Sequence, residues 1–185
     1  MNRHAVQLIS RGAISKIGNM LYDYGNSVWL ASMGTIGKTV LGIYQISELV
    51  TGILVNPFGG VISDRFSRRK ILMTTDLVCG LLCLAISFIR NDRWMIAALI
   101  VANIVQAIAF GFSRPANKAI ITEVVEKEEI VTYNAHLELV LQVVSVSSPV
   151  FSFLVLQFAS LYATLLLDAL TFFIAFVLVA FLPKE

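Results

Sequence analysis

Charged residues are scarce in this chain of 185 residues: Lys, Arg, Asp and Glu together make up 14% of it, whereas hydrophobic residues make up 57%. A soluble domain of this length cannot usually bury so much apolar surface, but a lipid bilayer can accommodate it. The net charge is only +2. The basic residues are confined to short segments beside apolar runs, which argues against nucleic-acid binding. The composition therefore predicts an integral membrane protein.

Cysteine and histidine are also rare, with two of each. Cys79 and Cys83 lie one helical turn apart in an apolar run, where thiols are more often small packing residues than ligands of a shared metal ion. His4 and His136 are far apart and have no Cys or carboxylate set beside them. We therefore expect no metal, no cofactor and no disulfide framework. The absence of a nucleophile–base pair and of paired catalytic carboxylates argues against an enzyme.

Long apolar runs dominate what is present. Each is long enough to cross about 30 Å of hydrocarbon as a helix. The runs are too long for strands and lack strict alternation, so the predicted fold class is an all-α membrane protein with six transmembrane helices. The long connection at 117–134 is acidic and amphipathic, and we expect a loop with a surface helix there. The predicted spans are about 13–35, 39–62, 71–90, 94–116, 135–158 and 161–182.

The distribution of basic residues predicts the orientation of these spans. With six crossings, both termini share one side of the membrane, together with the second and fourth connections. Of the 14 Lys and Arg residues, all except Lys38, Arg90 and Arg93 fall on that side. Because an excess of Lys and Arg marks the cytoplasmic face, we predict a multi-pass protein of the cell membrane with both termini in the cytoplasm.

The densest charge cluster, GGVISDRFSRRK at 59–70, lies between the second and third spans. A cytoplasmic anchor would explain its basic residues, but not its Gly and Asp at this spacing. The stretch resembles the signature of the major facilitator superfamily, which occupies the same place and has Gly, Asp, Arg, an aromatic residue and further basic residues in this order. The resemblance implies a conformational-switch motif made of Gly60, Asp64, Arg65, Arg68, Arg69 and Lys70.

The residue types in this motif have physical reasons. Gly60 would let two helices approach closely, and Asp64 would suit the positive dipole end of the third helix if it lies near the start of that helix. The arginines can pair with carboxylates or with helix C-termini, and they can break those pairs as two lobes rock against each other.

Two further stretches resemble the macrolide and siderophore exporters of that superfamily: FSRPANKAIITEVVEKEEIVTYNA at 112–135 and LLLDALTFFIAF at 165–176. The resemblance implies efflux of a drug-like or amphipathic small molecule by proton antiport. The chain would be the amino-terminal six-helix lobe of such a transporter, built as a 3+3 repeat. Its expected partners are a small-molecule substrate, the lipid bilayer and a second six-helix lobe, supplied by the same gene, a split gene or a second copy.

Two departures weaken the antiport assignment. Asn103 and Ala107 stand where the fourth helix of the family often has Arg and Gly. Ser148 and Ser152 stand where the fifth helix of drug antiporters has glycines. The alternative is a truncated or non-transporting membrane protein that scaffolds or pairs with a partner chain.

Polar residues recur at helical spacing in the first, second, fourth and fifth spans. In the superfamily these helices surround the central path, so the resemblance implies that the stripes line it; the alternative is that they only bond one another inside the bundle. Ionisable residues within a span are costly and often functional, and a buried Asp23 or Glu48 could bind a cation or carry a proton. The predicted substrate or proton path comprises Asp23, Asn26, Glu48, Asn103, Gln106 and Gln142.

Two further expectations concern structural contacts. Arg114 and Glu138 lie near the cytoplasmic ends of neighbouring stripes, so we predict a structural ion pair between them; an arginine of the 59–70 cluster is an alternative partner for Glu138. Asp168, in the sixth span, is expected to hydrogen-bond to a neighbouring helix.

Overall fold

Six long helices make up the computed structural model, which describes residues 2–158 and 160–183. No strand occurs within these ranges, so the all-α prediction is confirmed. A short 3-10 turn at Lys127–Glu129 precedes the fifth helix. The helices are α1 (Arg3–Ala31), α2 (Gly34–Arg65), α3 (Arg68–Ile86), α4 (Asp92–Val124), α5 (Ile130–Phe158) and α6 (Leu161–Ala180).

Short polar side chains begin three of these helices. The Asn2 side chain accepts a hydrogen bond from the Ala5 backbone N–H at 2.9 Å, and Asn91 accepts one from the Arg93 N–H at 3.0 Å. Ser67 caps α3 in the same way. These side chains satisfy N–H groups that have no partner inside the helix. They therefore explain why the helices start at the edges of the charged segments.

The connection between α4 and α5 differs from the sequence prediction. The expected loop at 117–134 is wrong, because α4 continues to Val124 and α5 begins at Ile130. Pro115 lies inside α4 rather than at its end. The amphipathic segment after it has enough helix-forming residues to extend both helices, which leaves only a short turn between them. The first helix is also longer than predicted, because it begins at Arg3.

Among the described residues, four helices are long and apolar enough to cross a membrane: α2, α4, α5 and α6. The helices α1 and α3 were also predicted to span, but they do not meet this criterion of length and composition. In α1, Arg11 is buried, and in α3, Asp76 is buried. Four candidate spans are therefore shown by length and composition, and six crossings stay a prediction.

Most of the helix packing joins the first three helices to the last three, in a nearly symmetric pattern. The helices α3 and α6 pack against each other, α6 also packs against α1, and α3 against α4. The helix α2 packs mainly on α4, whereas α5 packs mainly on α1. Exchanging the first three helices with the last three leaves this pattern unchanged. Such an exchange symmetry is what two related three-helix halves would give, and the 3+3 repeat stays a prediction.

Glycines allow the closest approaches between helices. A Cβ atom on Gly18 of α1 would lie 2.7 Å from the Asp168 carboxylate of α6. On α2, a Cβ on Gly59 would collide with the backbone carbonyl oxygen of Gly111 in α4, whereas a Cβ on Gly60 would meet nothing within 4 Å. The predicted close approach at Gly60 is therefore wrong. It occurs one residue earlier, because successive helical residues point about 100° apart.

Candidate functional site

A hydrogen-bonded cluster joins α1, α2 and α4 around Tyr44. The Tyr44 hydroxyl donates to Asp23 Oδ1 at 3.3 Å and accepts from Asn26 Nδ2 at 3.2 Å. Asn103 Nδ2 donates to the Tyr44 backbone carbonyl at 2.9 Å. The structure thus brings together three predicted path residues and adds Tyr44. The sequence analysis did not include this tyrosine among the polar residues of the stripes.

A second polar chain runs through the interior between α4, α3 and α6. Gln106 Nε2 donates to Cys83 Sγ at 3.2 Å, and the Cys83 thiol donates to Asp168 Oδ2 at 3.5 Å. Thr171 Oγ1 also donates to Asp168 Oδ1 at 3.2 Å. Asp168 therefore bonds a neighbouring helix as expected. Gln106 bonds to α3 whereas Asn103 bonds to α2, although the two residues lie only about 60° apart around α4.

An open cavity of about 390 Å³ lies between α2 and α4. Its lining includes much of the polar stripe that the sequence showed on α2. Glu48 is in this wall with Gln45 and Asn56, and the opposite wall is provided by Phe110 and Arg114. Glu48 thus faces open space, whereas Asp23 is held by Tyr44.

A larger cavity of about 450 Å³ lies between α1, α3, α4 and α5. Arg11 and Asp76 form a buried ion pair in its wall, with Arg11 Nη2 at 2.9 Å from Asp76 Oδ2 and Arg11 Nε at 3.3 Å from the same oxygen. Arg11 Nη1 also donates to Asn117 Oδ1 at 3.4 Å. Sequence reasoning missed this pair, since Arg11 had the spacing of a cytoplasmic anchor and Asp76 had no partner nearby in sequence.

The predicted ion pair between Arg114 and Glu138 is absent from the part of the chain that the structure describes. The Arg114 guanidinium lies 5.9 Å from the centre of the Phe110 ring. Glu138 instead accepts a hydrogen bond from Gln142 Nε2 at 2.9 Å, one turn along α5. Gln142, a predicted path residue, is therefore bonded within its own helix and is exposed on α5.

The arginines of the 59–70 cluster hold the ends of other helices. Arg68 forms an ion pair with Glu123 near the end of α4. Arg69 donates to the Val179 carbonyl at 3.3 Å and also to the Ala180 carbonyl, both in the last turn of α6. A guanidinium there satisfies carbonyls that have no intrahelical partner and suits the negative end of the helix dipole.

Three other motif residues are exposed: Asp64, Arg65 and Lys70. Asp64 lies in the last turn of α2, so its predicted place at the start of α3 is wrong; Ser67 caps that helix instead. An acidic residue in a last turn is unfavourable for the helix dipole. Arg65 ends α2, and Lys70 in the first turn of α3 is exposed. Over residues 2–158 and 160–183, the structure records no ion pair for these three side chains.

Comparison with known proteins identifies the family. The family model of the Major Facilitator Superfamily matches residues 12–185. The chain belongs to this superfamily. The arabinose-proton symporter of Bacillus subtilis (strain 168) is similar to it, with 28% identity over 113 residues that cover 58% of this chain and 24% of the symporter. The chain therefore spans about a quarter of the length of this curated relative.

Membership of the major facilitator superfamily agrees with the long apolar helices of the chain. It indicates a multi-pass membrane protein of a transporter superfamily. Among the described residues, no three His, Cys, Asp or Glu side chains come together as a metal site. The polar cavities and the arginine contacts are the features from which a function can be argued.

Replacing Tyr44 with Phe is expected to loosen the contact between α1 and α2. The change leaves Asp23 and Asn26 without their shared hydroxyl, and an unsatisfied buried polar group costs about 1–3 kcal/mol. Unfolding of the purified chain in neutral detergent should therefore show a clear loss of stability. The matched control is Tyr24→Phe, since the Tyr24 side chain is 42% exposed. Equal stability of the two variants would contradict the role of Tyr44.

Proposed function

We propose that the chain forms the amino-terminal six-helix lobe of a secondary transporter that exports a drug-like or amphipathic small molecule in exchange for protons. The observation that carries the proposal is the open cavity between α2 and α4, where Glu48 faces Arg114 and Phe110. Such a wall offers polar, charged and aromatic contacts to an amphipathic molecule. Proton coupling is supported by the similarity to an arabinose-proton symporter. Export is supported by the likeness of 112–135 and 165–176 to exporters.

All six helices cross the membrane in this proposal, with both termini in the cytoplasm of the cell. The charge in α1 and α3 supports rather than opposes crossing, because Arg11 and Asp76 neutralise each other inside the bundle. The helices α2 and α5 have few buried residues. Their apolar outer faces suit lipid and a second six-helix lobe.

The 59–70 cluster is proposed as the conformational switch. Arg68 and Arg69 tie the start of α3 to the ends of α4 and α6. These contacts brace one end of the lobe, and so they hold the 59–70 cluster in place for contact with the second lobe. Asp64 and Arg65 are exposed beside them and can meet groups of the second lobe.

Removing the carboxylate of Glu48 is expected to abolish most proton-driven transport. The assay is accumulation of fluorescent drugs in inverted vesicles that contain this chain together with its second lobe, under an imposed pH gradient. Glu48→Gln and Asp23→Asn should each lower the initial rate by about tenfold or more, because a neutral amide cannot carry a proton. Glu126→Gln is the control, since Glu126 is exposed in the turn before α5.

The outcomes of this assay distinguish the alternatives. Unchanged rates in both variants would remove the two carboxylates from the proton path. If the vesicles instead transport a sugar, and in the direction opposite to that expected for export, symport would replace export as the function. A complete lobe pair without transport of any compound would favour the non-transporting membrane protein that pairs with a partner.

A further inference from the structure

The cavity between α1, α3, α4 and α5 has an uneven distribution of charge. Three cationic side chains line it, Arg11, Lys16 and Arg114, against the single carboxylate of Asp76. Asp76 is already engaged with two nitrogens of Arg11 in a bidentate pair. Lys16 and Arg114 therefore have no free carboxylate in this cavity, and neither has an ion-pair partner among the described residues. Arg114 also borders the α2–α4 cavity that contains Glu48.

Two polar atoms on α1 in the wall of the same cavity are buried and unbonded. Ser15 Oγ and Asn19 Oδ1 have no hydrogen-bond partner within the described chain. Buried polar atoms in proteins are nearly always bonded, so such atoms mark places where a ligand can bond. A hydroxyl can donate to an anion, and rotation of an Asn amide by 180° presents its NH₂ group instead.

Most of the remaining wall is apolar, although Thr75, Ser113 and Asn117 also line it. Phe110 and Phe172 stack with their ring centres 6.5 Å apart, and Leu137 and Leu141 of α5 face them across the cavity. A volume of about 450 Å³ lies within the range of roughly 300–1,000 Å³ typical of small-molecule sites. The cavity thus combines excess positive charge with an aromatic and aliphatic wall.

We propose that this cavity binds the carboxylate or phosphate group of an amphipathic anion, with Lys16 and Arg114 as its charged ligands and Arg11 held by Asp76 as a fixed part of the wall. Charge-assisted hydrogen bonds from lysine and arginine are the strongest contacts available to such a group. The inference rests on the proposed function only where it identifies this anion as the transported substrate. Binding itself can be measured without transport.

The test compares related small probes on the purified full chain in neutral maltoside micelles at fixed ionic strength. Benzoate and phenyl phosphate carry the anionic group, whereas benzamide has nearly the same shape as benzoate without the charge. The two anions should raise the melting temperature in a saturable manner, and benzamide should not. An equal effect of benzamide and benzoate would overturn the proposal.

Matched variants locate the binding. Lys16→Gln and Arg114→Gln should each weaken the apparent affinity for benzoate by about tenfold, which is the effect of losing one charged contact. Lys118→Gln removes the same charge from an exposed position on α4 and should behave as the wild type. Lys16→Arg keeps the charge and should retain binding. Equal weakening in Lys16→Gln and Lys118→Gln would mean general charge attraction and contradict the site.

A lipid headgroup has the same chemistry, and a second arm separates the two sources. The chain is placed in nanodiscs of phosphatidylcholine alone or with phosphatidylglycerol. If the anion is a lipid, phosphatidylglycerol raises the melting temperature only when Lys16 is present, and it competes with benzoate. If the anion is soluble, benzoate acts equally in both discs. No dependence on Lys16 in either arm would overturn the anion site and leave the transport assay of the α2–α4 cavity unaffected.

Discussion

Replacing Asp76 with Ala is expected to destabilise the protein more than other single substitutions of its charged residues. The change leaves the Arg11 guanidinium buried with only the long hydrogen bond to Asn117. Removing one partner of a buried ion pair costs about 3–5 kcal/mol, because the remaining charge stays desolvated. Denaturant unfolding of the purified chain in neutral detergent should show a loss of this size.

Two further variants separate the buried pair from general loss of charge. Asp64→Ala removes an exposed carboxylate and should leave the stability almost unchanged. The double variant Arg11→Met with Asp76→Leu removes both charges and replaces them with apolar groups, so it should recover most of the loss. If Asp76→Ala were as mild as Asp64→Ala, the ion pair would not hold α1 against α3.

Adding a single methyl group at Gly59 is expected to disrupt the packing of α2 on α4. In Gly59→Ala the new Cβ would collide with the Gly111 carbonyl oxygen, a backbone atom that cannot rotate away. Pro115 has no N–H to donate to this carbonyl, so the Cα–H of Gly59 can contact it instead. Overpacking of this kind costs about 1–3 kcal/mol. The unfolding assay in detergent measures the loss directly.

The neighbouring glycine provides the control. A Cβ on Gly60 meets nothing within 4 Å. Gly60→Ala should therefore be neutral or stabilise the protein by about 0.5–1 kcal/mol, because Ala is a better helix former than Gly. The opposite order of the two variants would show that α2 is rotated by one residue relative to this structure.

The sequence predicted the helix limits well where polar or charged residues interrupt an apolar run. The predicted span 161–182 overlaps nearly all of α6, and 71–90 overlaps most of α3. Charged residues flank α3, and Ser160 and Pro183 flank α6, so the sequence indicates the limits of both helices. The prediction of a loop at 117–134 was wrong because an amphipathic sequence is compatible with either a helix extension or a surface helix. Only tertiary packing decides between the two.

The site was predicted in part. Asp23, Asn26 and Asn103 were identified as members of polar stripes, and the structure joins them through Tyr44. The partners within a stripe follow from helical spacing, but contacts between helices depend on rotation about each axis. Whether Gly59 or Gly60 faces α4 depends on a rotation of α2 by about 100°, the angle between successive residues.

The buried ion pair between Arg11 and Asp76 was missed for a related reason. Arg11 and Asp76 are separated by 65 positions, and nothing in their local sequence links them. Arg11 looked like one more cytoplasmic anchor, because the positive-inside rule counts basic residues without regard to the side of the helix on which they lie. Only the packing of α1 against α3 reveals its partner.

Cysteine labelling can show whether all six helices cross the membrane with the 59–70 cluster inside the cell. Cys79 and Cys83 are fully buried, which keeps the background labelling low. Single cysteines are placed in successive connections, as Ser32→Cys, Ser67→Cys, Asn91→Cys and Glu126→Cys, and exposed to a membrane-impermeant maleimide. We expect Ser32→Cys and Asn91→Cys to react in intact cells, whereas Ser67→Cys and Glu126→Cys should react only in inverted vesicles. Reaction of Ser32→Cys and Ser67→Cys from the same side would contradict this expectation.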